Sequence, residues 1–163
     1  MVIIRPPTAL AKKMKIRLVE TISRSSTLLG DWHCLGLVIG RQQYILCVSE
    51  HGRLPVVLHA APYASFPKRL GDALSEVLQK IGVPRAKTVD EVSKMKDIVL
   101  AKTNSSSILG SMNDFRYQVQ ATRGIGRVPN DPMEISLLLA ETISLVLPDG
   151  TPMDSVRKLF GKS

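Results

Sequence analysis

Early in the chain the hydrophobic positions form short dense runs, and later they recur at helical spacing. VIIR (2–5), stopped by Pro6-Pro7, predicts a short first strand. In TALAKKMKI, Leu10, Met14 and the following Leu18 mark one side of a short amphipathic helix. TISRSSTLLG then reads as a polar connector.

DWHCLGLVIGRQQYILCVSE carries the clearest hairpin signal. Two apolar runs flank Gly40-Arg41, a glycine-first pair suited to a two-residue type II′ turn. That turn sets Cys34 opposite Cys47, Leu35 opposite Leu46 and Leu37 opposite Tyr44. Alternation then gives one face His33, Leu35, Leu37, Ile39, Tyr44, Leu46 and Val48. The other face receives Trp32, Cys34, Val38, Ile45 and Cys47. Both faces are apolar, so the hairpin is expected at the centre of a sheet covered on both sides. LPVVLHA (54–60) follows as a third strand, its Pro55 suiting a strand start or an edge.

FPKRLGDALSEVLQKIG places Phe66, Leu70, Leu74, Val77, Leu78 and Ile81 at helical spacing. Ser65 is expected to cap this helix, with Pro67 in its first turn and Gly82 and Pro84 ending it. TVDEVSKMK has Thr88 and Glu91 in capping-box positions, and DIVLAKT (97–103) is a strand candidate. In TNSSSILGSMNDFR and beyond, Ile108, Leu109, Met112, Phe115 and Val119 mark a helix face, with Ser106 or Ser107 as its cap. NDPMEISLLLAETISLVL reads as one helix, capped by Asp131 with Pro132 first, and apolar nearly all round, so deep in the core. GTPMDSVRKLF repeats that grammar with Thr151, Pro152 and Asp154. The whole chain, 1–163, is expected to be one α+β domain. It has a mainly antiparallel sheet built from the early hairpin and meander, packed helices, and a helical C-terminal third.

Composition adds limits. With 44% hydrophobic but only 4% aromatic residues, the core must come from aliphatic side chains and methionine. The longest apolar stretch, ISLLLAETISLVL, is too short to span a bilayer and contains Glu141, so no membrane association is expected. MVIIRP reads as a strand rather than a secretion or transit signal. Two cysteines are too few for a disulfide scaffold, which points to the cytoplasm and to buried free thiols.

The net charge of +8 suits an anionic partner, nucleic acid being the commonest. The basic residues are nonetheless scattered. Their densest groupings are KKMKIR (12–17) and the trio Arg116, Arg123 and Arg127, and a solvated basic surface is the plainer account. Scarce aromatics argue against single-strand stacking.

Standard catalytic and phosphate-binding motifs are missing. RGIGR (123–127) lacks the third glycine and preceding strand of a dinucleotide fingerprint; it could meet phosphates as a basic loop, but a loop that merely ends a helix is the plainer account. No cofactor is expected. Neither is a metal, because the neighbours His33 and Cys34 point to opposite faces of a strand. Two segments remain. Asp31 and His33 share a strand face, so the carboxylate could orient the imidazole as a general base; a turn residue after Gly30 and a hydrogen-bonded sheet histidine are the plainer account. Trp32 by default belongs to the core. The stretch 103–116 holds more polar residues than capping needs, with Ser111, Asp114 and Gln118 forming a polar stripe.

These two signatures, DWHCLGLVIGRQQYILCV and, far downstream, TNSSSILGSMNDF, resemble an uncharacterised family of small bacterial proteins, a domain of unknown function with a DWH hairpin and a GSMND helix. The resemblance runs over most of residues 1–120. It implies a bacterial cytoplasmic setting and that the two segments belong together, and brings no activity with it. It singles out Asp31, Trp32, His33, Asn104, Ser111, Asn113 and Asp114.

Three functions fit. The favoured one is a non-catalytic binding or regulatory protein contacting nucleic acid or another anion through Arg116, Arg123, Arg127 and the Lys12–Arg17 face. The second is a hydrolase-like enzyme whose pocket joins Asp31 and His33, as base, to the Asn104–Asp114 segment, with Ser111 or Asn113 holding substrate. The third is a structural or protein-interaction module in which these polar residues lock helix to hairpin.

Overall fold

The computed structural model describes residues 1–21, 23–126, 129–144 and 146–161. Its elements in order are β1 (Val2–Arg5), α1 (Thr8–Met14), β2 (Trp32–Ile39), β3 (Gln42–Ser49), β4 (Pro55–His59), α2 (Phe66–Lys80), α3 (Arg85–Ser93), β5 (Ile98–Leu100), α4 (Ser106–Gly124), α5 (Pro132–Ala140) and α6 (Pro152–Leu159). The five strands lie in the order β4-β3-β2-β1-β5. β2, β3 and β4 form the expected antiparallel meander, and β1 joins β2 and β5 in parallel, so the sheet is mixed. A parallel pair needs a crossover connection. α1 with its connector supplies one before β2, and α2 with α3 supplies the other before β5.

The hairpin has the register its turn dictates: Cys34 faces Cys47, Leu35 faces Leu46 and Leu37 faces Tyr44. Gly40 takes the positive φ of 63° that a glycine-first turn requires. Its two faces feed two cores. Trp32, Cys34, Ile45 and Cys47 pack with α1, α2 and α6, while Leu35, Leu37, Tyr44, Leu46 and Val48 pack with α4 and part of α5. Val38 departs from the pattern and is 59% exposed.

Several helix boundaries differ from expectation. Helix α5 stops at Ala140, with Thr142 N–H on the Leu139 carbonyl and Ser144 N–H on Gly150, so Ile143 and Val146 lie exposed outside it. Asp131 precedes α5 with no capping hydrogen bond from its side chain. Ser65 does not cap α2; its hydroxyl donates to the Pro62 carbonyl and accepts from Arg69 Nε. Helix α3 starts at Arg85, before the expected Thr88–Glu91 box. The buried Glu91 carboxylate instead accepts the backbone N–H groups of Leu28 (2.8 Å) and Leu29 (3.0 Å), tying the connector to α3. Ser105 caps α4, one residue earlier than expected, and Thr151 caps α6. Among the described residues no helix is long and apolar enough to cross a membrane.

Candidate functional site

Polar side chains gather at one end of the sheet, where β1 and β5 finish and β2 begins. The β1–β2 register places Arg5 beside His33. Arg5 is the charged end of an otherwise apolar strand, and its guanidinium turns to Asp31: Nε donates to Oδ2 at 2.8 Å, and Nη1 donates to the Lys102 carbonyl. Ser25 Oγ donates to the other carboxylate oxygen of Asp31 at 2.7 Å and accepts the Ile3 N–H at 2.8 Å. Glu50 completes the surround, accepting the Asp31 N–H at 3.3 Å. Gly30 makes this approach feasible: its φ is 77°, and a Cβ there would lie 2.4 Å from Glu50 Oε1.

His33 is 1% exposed. Its Nε2 lies 3.2 Å from Asn104 Oδ1, which makes Nε2 the protonated nitrogen of the neutral ring. Nδ1 is buried with no partner among the described residues. Burial pulls the imidazole pKa below its ordinary 6.5; the Asn104 hydrogen bond opposes it, Arg5 adds to it, and Asp31 and Glu50 oppose it more weakly. Asp31 therefore serves Arg5 and Ser25, and the side chain that orients His33 is Asn104. Farther along this rim Arg53, at φ 53°, donates to Ser107 Oγ at 3.0 Å.

A cleft of about 470 Å³ opens beside this cluster, outside the carboxyl ends of β1 and β5. Pro6 and Thr8 line it after β1, Lys102 and Thr103 after β5, and Lys12 and Arg17 from α1 and the chain beyond it. Lys102 meets Glu20 at 3.2 Å. Lys12 and Arg17 have no side-chain partner among the described residues.

The structure thus brings Asp31, His33 and Asn104 to one place, and leaves the other candidates elsewhere. Trp32 is fully buried in the core. Ser111 and Asp114 line a separate groove with Thr142, Ile143, Ser144 and Val146, and Asn113 is exposed on α4. Arg116 donates to the Gly36 carbonyl at 3.1 Å, and Arg123 lies near the hairpin turn at Gly40. Arg127 lies outside the described residues. Sequence reasoning missed Arg5, Ser25, Glu50, Arg53 and Lys102. A charged residue closing a buried apolar strand was the available signal for Arg5; Lys102 gave none, because only the β1–β5 pairing sets it beside Lys12 and Arg17.

The thiols of Cys34 and Cys47 are free, buried and 3.0 Å apart. Among the described residues no three of His, Cys, Asp and Glu converge as metal ligands would.

Residues 3–154 match the family model described as Domain of unknown function (DUF6933). The match extends past residue 120, where the resemblance seen in the sequence weakened. No curated protein and no solved structure matches the chain.

Proposed function

The chain belongs to the DUF6933 family, a domain of unknown function, and we propose that it is a binding protein whose ligand is a small anion held in the cleft outside the carboxyl ends of β1 and β5. One observation carries this reading: Lys12 and Arg17 from the α1 segment and Lys102 from the end of β5 line a single cleft, where the one acid paired with a lining cation among the described residues is Glu20, on Lys102. Crevices outside the carboxyl ends of parallel strands are where open sheets commonly take ligands. The cleft volume is that of a small-molecule site. Cations left without partners favour a phosphate- or carboxylate-bearing group.

A nucleic-acid reading draws less support. The Lys12–Arg17 patch accompanies α1 on one face of the sheet, while Arg116 and Arg123 sit on α4 over the other. A continuous phosphate track would need them side by side. On the small-anion reading Asp31, His33 and Asn104 position the 101–104 segment, and Lys102 with it.

Thermal unfolding in the presence of pyrophosphate, a nucleoside triphosphate and citrate tests this directly. A ligand of the native state raises the midpoint with concentration. That rise is expected with at least one of the three anions and should vanish in Arg17→Glu and Lys102→Glu. No rise with any of them at low salt would overturn the reading. So would tight binding of duplex DNA or RNA that Arg17→Glu leaves undiminished.

A further inference from the structure

The sheet has a gap in its edge protection. At one margin, β4 is covered by α5, whose Ser136 Oγ accepts the outward N–H of Val57 at 2.8 Å. At the other margin, Val19 bridges to β5, its N–H on the Leu100 carbonyl and its own carbonyl accepting Lys102 N–H. Between them β1 is too short for β2. It pairs only as far as Arg5 and His33, then meets Pro6-Pro7, which have no N–H to continue the ladder.

The rest of β2 therefore presents an unpaired edge. Its polarity follows from the bonds around it. Gln43 turns its carbonyl to Ala60 on the β4 side, so Gln43 and its opposite number Val38 are a pair that does not bond across the hairpin. The N–H and C=O of Val38 point away from β3, as do those of Gly36 two residues earlier. Arg116 shows it: its guanidinium reaches the Gly36 carbonyl at 3.1 Å, and it is the sole described group that does. A Cβ on Gly36 would meet nothing within 4 Å.

A cavity flanks this edge on each side of the sheet. One, about 140 Å³, lies under α1 and includes Pro7, Lys13 and Tyr63; the other, about 470 Å³, lies under α4 and includes Val119, Gln120 and Arg123. Val38 belongs to both. Neither cavity is lined by an acidic residue, while Lys13 stands on one side, Arg123 and Arg116 on the other, and Arg41 at the hairpin turn.

We propose that the β2 edge at Gly36–Val38 accepts an extended acidic segment of a partner protein as an added strand, occupying the line that β1 vacates at Pro6. Main-chain bonds to Gly36 and Val38 would supply affinity, as in other strand additions. Arg116 would exchange the neutral Gly36 carbonyl for a partner carboxylate, so that both members of the bond are charged. Charge selects the occupant: a second copy of this chain would bring the same cations edge to edge, whereas an acidic strand complements them. The proposal is independent of the anion cleft, which uses different residues.

The probe is a labelled capped peptide alternating Val and Glu, about 6 residues long, the length of an ordinary strand. A Val–Lys peptide of equal length is the control. Fluorescence anisotropy on the full chain should show saturable binding of the acidic peptide alone, with slowed amide exchange at Val38. Val38→Pro removes an edge N–H without touching the β3 ladder and should weaken binding about tenfold or more, as should Lys13→Glu combined with Arg123→Glu. If Val38→Pro does not fold, the charge variant and the Val38 amide in the wild-type chain still decide. Equal binding of both peptides, no binding of either, or unchanged exchange at Val38 would overturn the proposal. Concentration-dependent dimerisation lost in Val38→Pro would overturn it in favour of a second copy.

Discussion

Arg5 and Asp31, which stand at the ends of different segments, form a buried ion pair at 2.8 Å with side chains only 5% and 9% exposed. The pair fastens β1 to the entrance of β2, and through the Lys102 carbonyl to the end of β5 as well. Its desolvation is offset by further bonds: Asp31 also accepts from Ser25, and Arg5 donates to Lys102.

Removing one member should leave the other charge buried and unpaired. Arg5→Met is expected to lower stability by about 3–5 kcal/mol in urea unfolding. The double variant Arg5→Met/Asp31→Leu should recover much of that loss. A double variant as unstable as the two singles summed would show no coupling between the two side chains and overturn the orphaned-charge account.

His33 gives a pH dependence with a definite sign. Burial is the main cause of its lowered pKa, so the native state holds the neutral ring while the unfolded chain takes a proton below about pH 6.5. The contribution is complete above that pH and is lost as pH falls through the folded-state value. Over that window each pH unit should cost about 1.4 kcal/mol. Unfolding curves between about pH 7.5 and pH 5 check it, and His33→Gln should flatten the slope. An unchanged slope in that variant would assign the effect to other groups.

Cys34 and Cys47 should be inert in the folded protein. Burial pushes the Cys34 thiol well above its usual range, with the Cys47 thiol adding to the effect, and the thiolate is the reactive form. A thiol reagent is expected to react slowly with the native chain and to find both thiols once the chain is denatured. Finding neither under denaturing conditions would mean that the two had joined as a disulfide.

The parts of the fold legible in the sequence are those whose causes are local. Gly40 alone fixes the β2–β3 register, and with it the Cys34–Cys47 contact and the two-sided core. The Thr151 cap was legible because its partner, the Asp154 N–H, is three residues away. Glu91 and Ser65 obey the same local grammar yet are used otherwise, because a distant backbone and a neighbouring arginine compete for them. The end of α5 was hidden, since apolar spacing continues through Ile143 and Val146, which the fold leaves exposed. In the candidate site, His33 and Asn104 could be singled out by residue type, but Asp31's true partner could not. Arg5 meets it through a parallel crossover, whose register no local pattern records.

Ser136 explains how an apolar helix can carry a polar residue in its buried face. Helix α5 covers the β4 edge, where Val57 turns its N–H away from β3 and would otherwise be left without an acceptor in the core. Ser136, itself fully buried, accepts that N–H at 2.8 Å and donates back to the Pro132 carbonyl at 2.8 Å, so each of its bonding roles is used. Ser136→Ala changes little volume but strands the Val57 N–H, and the expected cost is about 1–3 kcal/mol by urea unfolding. Ser136→Thr keeps the hydroxyl and should retain the bond, losing stability only through its added methyl. If alanine were tolerated as well as serine, water would have to reach Val57. The β4 edge would then be open like the β2 edge, and amide exchange at Val57 would be correspondingly fast in the variant.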